Sequence, residues 1–122
     1  MKPPLAAECR EKFLNREQSA EVIDQKCRVI SEHVAQSFAI PVEDLLGRSK
    51  KSYHTWPRQV AMAFSLELVG SSTEVGQRFQ RDHVTVLHAR DQMQRFCSIY
   101  PDVRQEVSLL REQLTKLVAE VK

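Results

Sequence analysis

The chain has 122 residues and a formal net charge of +2, with 42% hydrophobic and 28% charged residues. This length accommodates one domain with a modest core, but not a core together with a separate catalytic module. The composition is typical of a globular protein, and no apolar run reaches membrane-spanning length, so we expect a soluble protein that has no membrane partner.

The first residues and the cysteines indicate a cytoplasmic protein. Charges interrupt the stretch MKPPLAAECREKF, where a secretory signal needs an unbroken apolar run. Cys9, Cys27 and Cys97 are odd in number and lack a C-x-x-C spacing. This pattern fits reduced, packed thiols better than a disulfide framework or a zinc site, and we expect no metal.

Positive charge is concentrated in the middle of the chain. Between Gly47 and Arg95, eight Lys and Arg residues face four Asp and Glu residues, so this stretch carries +4 and the flanks together carry −2. A basic middle between acidic ends is a mild electrostatic footprint for a polyanion. Ordinary solvated faces account for the charge alone equally well.

The first half of the chain has helical periodicity and almost no β-branched alternation, which predicts an all-α fold, a small helical bundle. Apolar residues at three- and four-residue steps predict a first helix over residues 18–38. We interpret residues 1–17 as a flexible N-terminal extension and residues 18–122 as a single domain. IPVEDLLG predicts a short helix that starts at Pro41 and ends at a left-handed Gly47, and RSKKSYHTW predicts an exposed loop.

The second half predicts four further helices. Pro57 opens a helix that is apolar nearly all round, as expected for the centre of a bundle, and Gly70 closes it. Ser71 with Glu74 three residues later is a capping-box pattern, which predicts a short helix to about Phe79. Two further helices follow. Asp82 is the predicted N-cap of a helix that runs to about Tyr100, and Pro101 is the predicted start of the last helix.

A short helix, a tight turn and a longer helix that begins with polar residues is the layout of a helix-turn-helix, here about residues 71–100. The second helix of this motif enters the DNA major groove with its N-terminus first. Asp82 can accept from a cytosine amino group, and His83 can donate to an acceptor edge. Val84 and Thr85 offer methyl groups to thymine. Arg78 and Arg81 flank these residues and are predicted to contact phosphates.

The segments PRQVAMAFSLEL and RDHVTVLHA, together with VEDLLGRSKK, resemble the C-terminal DNA-binding domain of the bacterial chromosomal replication initiator DnaA. The resemblance runs from about Ile30 to Met93. It implies a Trp-repressor-like helical fold that binds DnaA boxes, which are short AT-rich duplex sites. The resemblance implies base contacts at Asp82, His83, Val84, Thr85 and Gln59. It also implies backbone or minor-groove contacts at Arg58 and in the loop GRSKKS, which contains Arg48, Lys50 and Lys51.

The chain departs from the family pattern in the turn and at two of these positions. Gln80 stands where the family usually has two glycines, so the turn must be made differently. Val84 replaces a threonine and loses its hydroxyl group. Lys50 lies where the family puts an arginine into the minor groove, and lysine lacks the flat guanidinium that suits a narrow groove. We therefore expect DNA binding with a shifted or relaxed sequence preference.

The last helix and the missing motifs leave one alternative open. Apolar residues in 4-3 order from Val103 to Val121 fit a dimer seam, but Leu109 and Val118 widen the stripe, which favours packing within a monomer. A helical protein-interaction module with a vestigial helix-turn-helix is the alternative function. No G-x-x-x-x-G-K-S/T motif and no recognisable catalytic set occurs, so we expect no ATPase or other enzyme activity, no bound nucleotide and no cofactor.

Overall fold

The chain folds into helices, as the periodicity predicts. The computed structural model describes the backbone of residues 2–3 and 5–121, and the side chains of residues 2–3, 5–6 and 20–121. Over this part of the chain it contains six helices and no strand, so the all-α class is confirmed. The helices are α1 Ala6–Ser37, α2 Val42–Leu46, α3 Ser52–Val69, α4 Ser72–Phe79, α5 His83–Ile99 and α6 Pro101–Ala119.

Helix α3 is the centre of the bundle and packs against each of the other five helices. Five consecutive apolar residues, 60–64, are at most 2% exposed, which explains why this helix shows no polar face. Phe64 is the largest fully buried side chain of the bundle. Burial of one such side chain contributes roughly 1.5–3 kcal/mol to folding, so α3 anchors the whole arrangement.

Helix α1 begins earlier than its apolar period predicts, at Ala6 rather than at residue 18. The buried side chains Cys27, Ile30 and Val34 lie on the predicted face. The backbone continues as one helix across residue 17, and the proposed boundary there stays a prediction, because the side chains of residues 7–19, including that of Cys9, lie outside the described residues.

The structure corrects three predictions for this region: the start of α3, the length of the loop before it and the conformation of Gly47. Helix α3 begins at Ser52, so Pro57 lies inside the helix instead of opening it. The amides of His54 and Thr55 both donate to the Lys51 carbonyl at 2.9 Å, which nucleates a turn that has no apolar period of its own. Gly47 has φ −77° and ψ −163°, an extended conformation and not the left-handed stop that was predicted. The segment between α2 and α3 is therefore only residues 47–51.

The end of α3 and the starts of α4 and α6 lie at the predicted residues. Gly70 ends α3 with φ 91°, in the left-handed region, and its amide donates to the Leu66 carbonyl. The Ser71 hydroxyl accepts from the Glu74 amide at 3.3 Å, which begins α4. The Glu74 carboxylate does not complete the predicted box but pairs with Arg78 one turn later. Pro101 opens α6 as predicted.

Helix α6 buries its apolar stripe inside the chain. It packs against α5, α1 and α3. The buried positions are Val107, Leu110, Leu114 and Val118, whereas Leu109 on the outer side is 56% exposed. The 4-3 pattern therefore contributes to the core of this chain. None of the helices in the described ranges combines the length and the hydropathy needed to cross a bilayer.

Candidate nucleic-acid interface

Helices α4 and α5 are joined by a three-residue turn, residues 80–82. Gln80 adopts the left-handed conformation, with φ 54° and ψ 45°. The Arg81 amide donates to the Gly76 carbonyl at 2.8 Å, which closes the end of α4. A non-glycine residue thus makes the turn, at the cost of roughly 1–2 kcal/mol that the left-handed conformation has for ordinary side chains.

Gly76 permits the close approach of this turn to α4. A Cβ atom at Gly76 would lie 2.6 Å from the Arg81 carbonyl oxygen, a backbone atom that cannot move aside without opening the turn. Sequence reasoning missed this residue. The available signal was an isolated glycine inside a predicted helix, which often marks close backbone contact.

The first turn of α5 points to solvent. Asp82 caps the helix by accepting from the Val84 amide at 3.5 Å, and its carbonyl accepts from the Thr85 amide at 3.0 Å. The side chains of Asp82 and His83 are 69% and 54% exposed, and Val84 is 58% exposed. Val86, one residue beyond Thr85, is fully buried and fixes the helix on α3. We name the four exposed residues Asp82, His83, Val84 and Thr85 the tip of α5.

The segment between α2 and α3, residues 47–51, carries three basic residues. We name it the basic loop. The side chains of Arg48, Lys50 and Lys51 are exposed. The Lys51 ammonium lies 5.7 Å from the centre of the Tyr53 ring, which is itself 57% exposed. A loop with three exposed cations and an adjacent aromatic ring is suited to a polyanion.

Arg58 lies beneath the basic loop and is only 7% exposed. Its guanidinium donates to three backbone carbonyls: Nε to Leu45 at 2.6 Å, Nη1 to Ser49 at 2.9 Å and Nη2 to Asp44 at 3.0 Å. Burial, and then the positive charge of Arg81, lower the pKa of Arg58 below its ordinary value. The residue predicted to contact a phosphate therefore connects the end of α2 to the middle of the loop.

Arg81 connects the basic loop to the helix-turn-helix. Its Nη2 donates to the Gly47 carbonyl at 2.6 Å, while Nη1 donates to the carbonyls of Phe79 and Gln80 at 3.2 and 3.3 Å. One guanidinium thus spans two segments that are 34 residues apart in sequence. The backbone of the loop at Gly47 therefore lies beside the turn that leads into the tip.

Two other predicted residues are placed differently. Arg78 is turned toward α1, where its Nε donates to the Asp24 carboxylate at 2.6 Å, and it also pairs with Glu74. The structure therefore does not group Arg78 with the loop cations. Gln59 is partly buried on α3, directly after Arg58. In the described part of the chain, no cluster of three or more His, Cys, Asp or Glu residues could hold a metal ion.

Comparison with known proteins identifies the family. Residues 27–93, which include the basic loop, the turn and the tip, match the family model described as the bacterial dnaA protein helix-turn-helix. The chain belongs to this family. The resemblance found in the sequence is thereby confirmed, and its predicted limits, about residues 30–93, agree with the match.

Relatives with the dnaA helix-turn-helix are similar over most of this chain. The chromosomal replication initiator protein DnaA of Lactobacillus delbrueckii subsp. bulgaricus is 38% identical over 89 residues, which are 71% of this chain and 20% of that protein. The protein with the same description from Lactiplantibacillus plantarum is 34% identical over 98 residues, or 79% of this chain and 22% of that protein. The chain thus spans about a fifth of the length of these curated relatives.

The dnaA-like fold extends beyond the matched residues. A solved structure described as the crystal structure of a DNA replication initiation factor superposes with a TM-score of 0.74 at 26% identity. The superposition covers 86% of this chain and 32% of that chain. Because residues 27–93 are a smaller share of the chain, parts of the flanking helices also share this architecture.

Proposed function

We propose that this chain binds double-stranded DNA with a sequence preference, through the tip of α5 in the major groove and the basic loop on the backbone or in the minor groove. The observation that carries the proposal is the Arg81 bridge to Gly47, which joins the basic loop to the turn that leads into the exposed tip. Membership of the dnaA helix-turn-helix family supports the same function.

Each residue of the tip is suited to a different base contact. Asp82 keeps its cap and can accept from a cytosine amino group, and His83 can donate to a purine acceptor. Val84 and Thr85 supply methyl groups for contact with thymine. Because Val84 has no hydroxyl group, its contribution is apolar, which is the chemical basis for a relaxed preference. Gln59 is a further candidate for a base contact.

The cations of the basic loop supply affinity rather than sequence choice. Arg48, Lys50 and Lys51 are free to meet phosphates or to enter the minor groove, where Lys50 contributes charge without a flat guanidinium. Arg58 and Arg81 are engaged by backbone carbonyls, so they support the loop and add positive charge beneath it. Arg78 makes the weakest candidate, because two carboxylates already engage it.

We further propose that the target is a DnaA-box-like duplex and that the chain acts in replication initiation or its regulation. The curated relatives are named chromosomal replication initiator proteins. Without a phosphate-binding loop in its 122 residues, this chain marks a site without nucleotide or catalysis. In this proposal it is a cytoplasmic, nucleoid-associated monomer.

A salt titration of binding tests the proposal. A random-sequence duplex and a single strand of equal length are compared by fluorescence anisotropy between 50 and 300 mM salt. We expect preference for the duplex and a slope of roughly −3 to −5 in log Kobs against log salt, as for three to five phosphate contacts. A slope near zero, with an oligomer in light scattering, would instead favour the helical protein-interaction module.

A further inference from the structure

The basic loop has no regular secondary structure, but hydrogen bonds from two arginines hold its backbone at Gly47 and Ser49. The carbonyl of Gly47 accepts from Arg81 and the carbonyl of Ser49 accepts from Arg58. The residues that carry these carbonyls, Gly47 and Ser49, are partly buried, whereas Arg48, Lys50 and Lys51 are exposed.

The guanidinium groups of Arg58 and Arg81 donate hydrogen bonds to backbone carbonyls and not to carboxylates. Among the side chains of residues 20–121, neither Arg58 nor Arg81 has a carboxylate partner. Arg58 meets the carbonyls of Asp44 and Leu45, at the C-terminal end of α2, where helices leave acceptors unpaired. These hydrogen bonds compensate for the burial of the Arg58 guanidinium close to the positive charge of Arg81.

Arg81 is suited to this bridge by the shape of its side chain. A guanidinium presents donors in a rigid plane, so Nη1 can hold the turn while Nη2 holds the loop. A lysine has one ammonium group on a flexible stem and cannot reproduce both directions at once. The bridge therefore depends on arginine geometry and not on charge alone.

We propose that Arg81 is a positioning residue that sets the distance between the tip of α5 and the basic loop, so that contacts in the two grooves of DNA are energetically coupled. This inference rests on the proposed function. It assigns Arg81 a role through Gly47 and the loop cations, in place of the phosphate contact that its position in the sequence predicts.

Dimethyl sulfate footprinting separates the two grooves, because the reagent methylates guanine N7 in the major groove and adenine N3 in the minor groove. The probe is the duplex that the chain enriches most from a randomised pool. For Arg81→Lys we expect protection of guanine N7 to persist and protection of adenine N3 to be lost, with affinity reduced about tenfold. Arg90→Lys, an exposed residue paired with its neighbour Asp91, is the matched control and should retain both protections.

A double-mutant cycle with Lys50→Ala gives a second readout. If Arg81 positions the loop, Lys50→Ala costs much affinity in the native background and little in the Arg81→Lys background. Additive losses, or unchanged protection in both grooves, would overturn the inference. Loss of both protections by a variant with native melting behaviour would also overturn it. Arg81→Gln provides the same cycle should the lysine variant fail to fold.

The two proposals fail in different ways. If the native chain protects neither groove of any duplex, the proposed function is wrong. If the native chain protects both grooves and Arg81→Lys does the same, DNA binding stands and the positioning role of Arg81 is wrong.

Discussion

Replacing Gly76 with alanine is expected to lower the free energy of unfolding by about 1–3 kcal/mol, the usual cost of overpacking, and to remove most sequence-specific DNA binding. The added Cβ would lie 2.6 Å from the Arg81 carbonyl oxygen, so the turn between α4 and α5 must open. Opening moves the tip of α5 and the Arg81 side chain together. Chemical denaturation and duplex affinity of the same variant check both effects.

Gly70→Ala is the control for Gly76→Ala. Gly70 has φ 91°, but a Cβ there meets no atom within 4 Å. This variant should lose about 1–2 kcal/mol through backbone strain and keep its DNA affinity, because Gly70 and the turn lie at opposite ends of α4. Equal DNA affinity of native chain and Gly76→Ala variant would contradict the role of the close approach.

Neutralising the basic loop is expected to have the largest effect on affinity. The triple substitution of Arg48, Lys50 and Lys51 by alanine should weaken duplex binding on the order of 100-fold at 0.1 M salt and reduce the slope of log Kobs against log salt by roughly 2–3. All three side chains are exposed, so the melting temperature should change little. Anisotropy titrations at several salt concentrations measure both quantities.

A second triple variant makes the same change in net charge elsewhere. Arg28, Arg104 and Lys116 are exposed on α1 and α6, outside the loop and the tip. Their replacement by alanine should lower affinity only slightly, through the general field of the protein. Equal losses in the two triple variants would mean that binding follows overall charge and not the loop.

The helices that carry the motif could be predicted from the sequence because their signals are local. Ser71 and Asp82 cap α4 and α5 as expected, and Pro101 begins α6. The start of α3 could not be predicted from the sequence, because residues 52–56 have no apolar periodicity. Their helix is held by a tertiary contact, since Trp56 packs edge-on against Phe96 with ring centres 5.2 Å apart.

The exposed part of the site could also be predicted, whereas its supporting contacts could not. Helix periodicity separates the exposed tip from buried Val86, and the loop cations lie where polar sequence predicts exposure. The partners of Arg58 and Arg81 are backbone carbonyls, which every residue has and which therefore leave no trace in the sequence. Arg78 could equally have faced solvent, and only the packing of α1 brings Asp24 to it.

The central claim is that the tip of α5 reads bases, and a binding-site selection from randomised duplexes tests it most directly. The native chain, His83→Ala and the control Gln94→Ala, an exposed residue farther along α5, are carried through the same selection. We predict that the native chain and Gln94→Ala enrich one short common sequence, while His83→Ala enriches that sequence with one or two adjacent base pairs relaxed. Enrichment of no sequence, or of the same sequence by all three proteins, would contradict the claim.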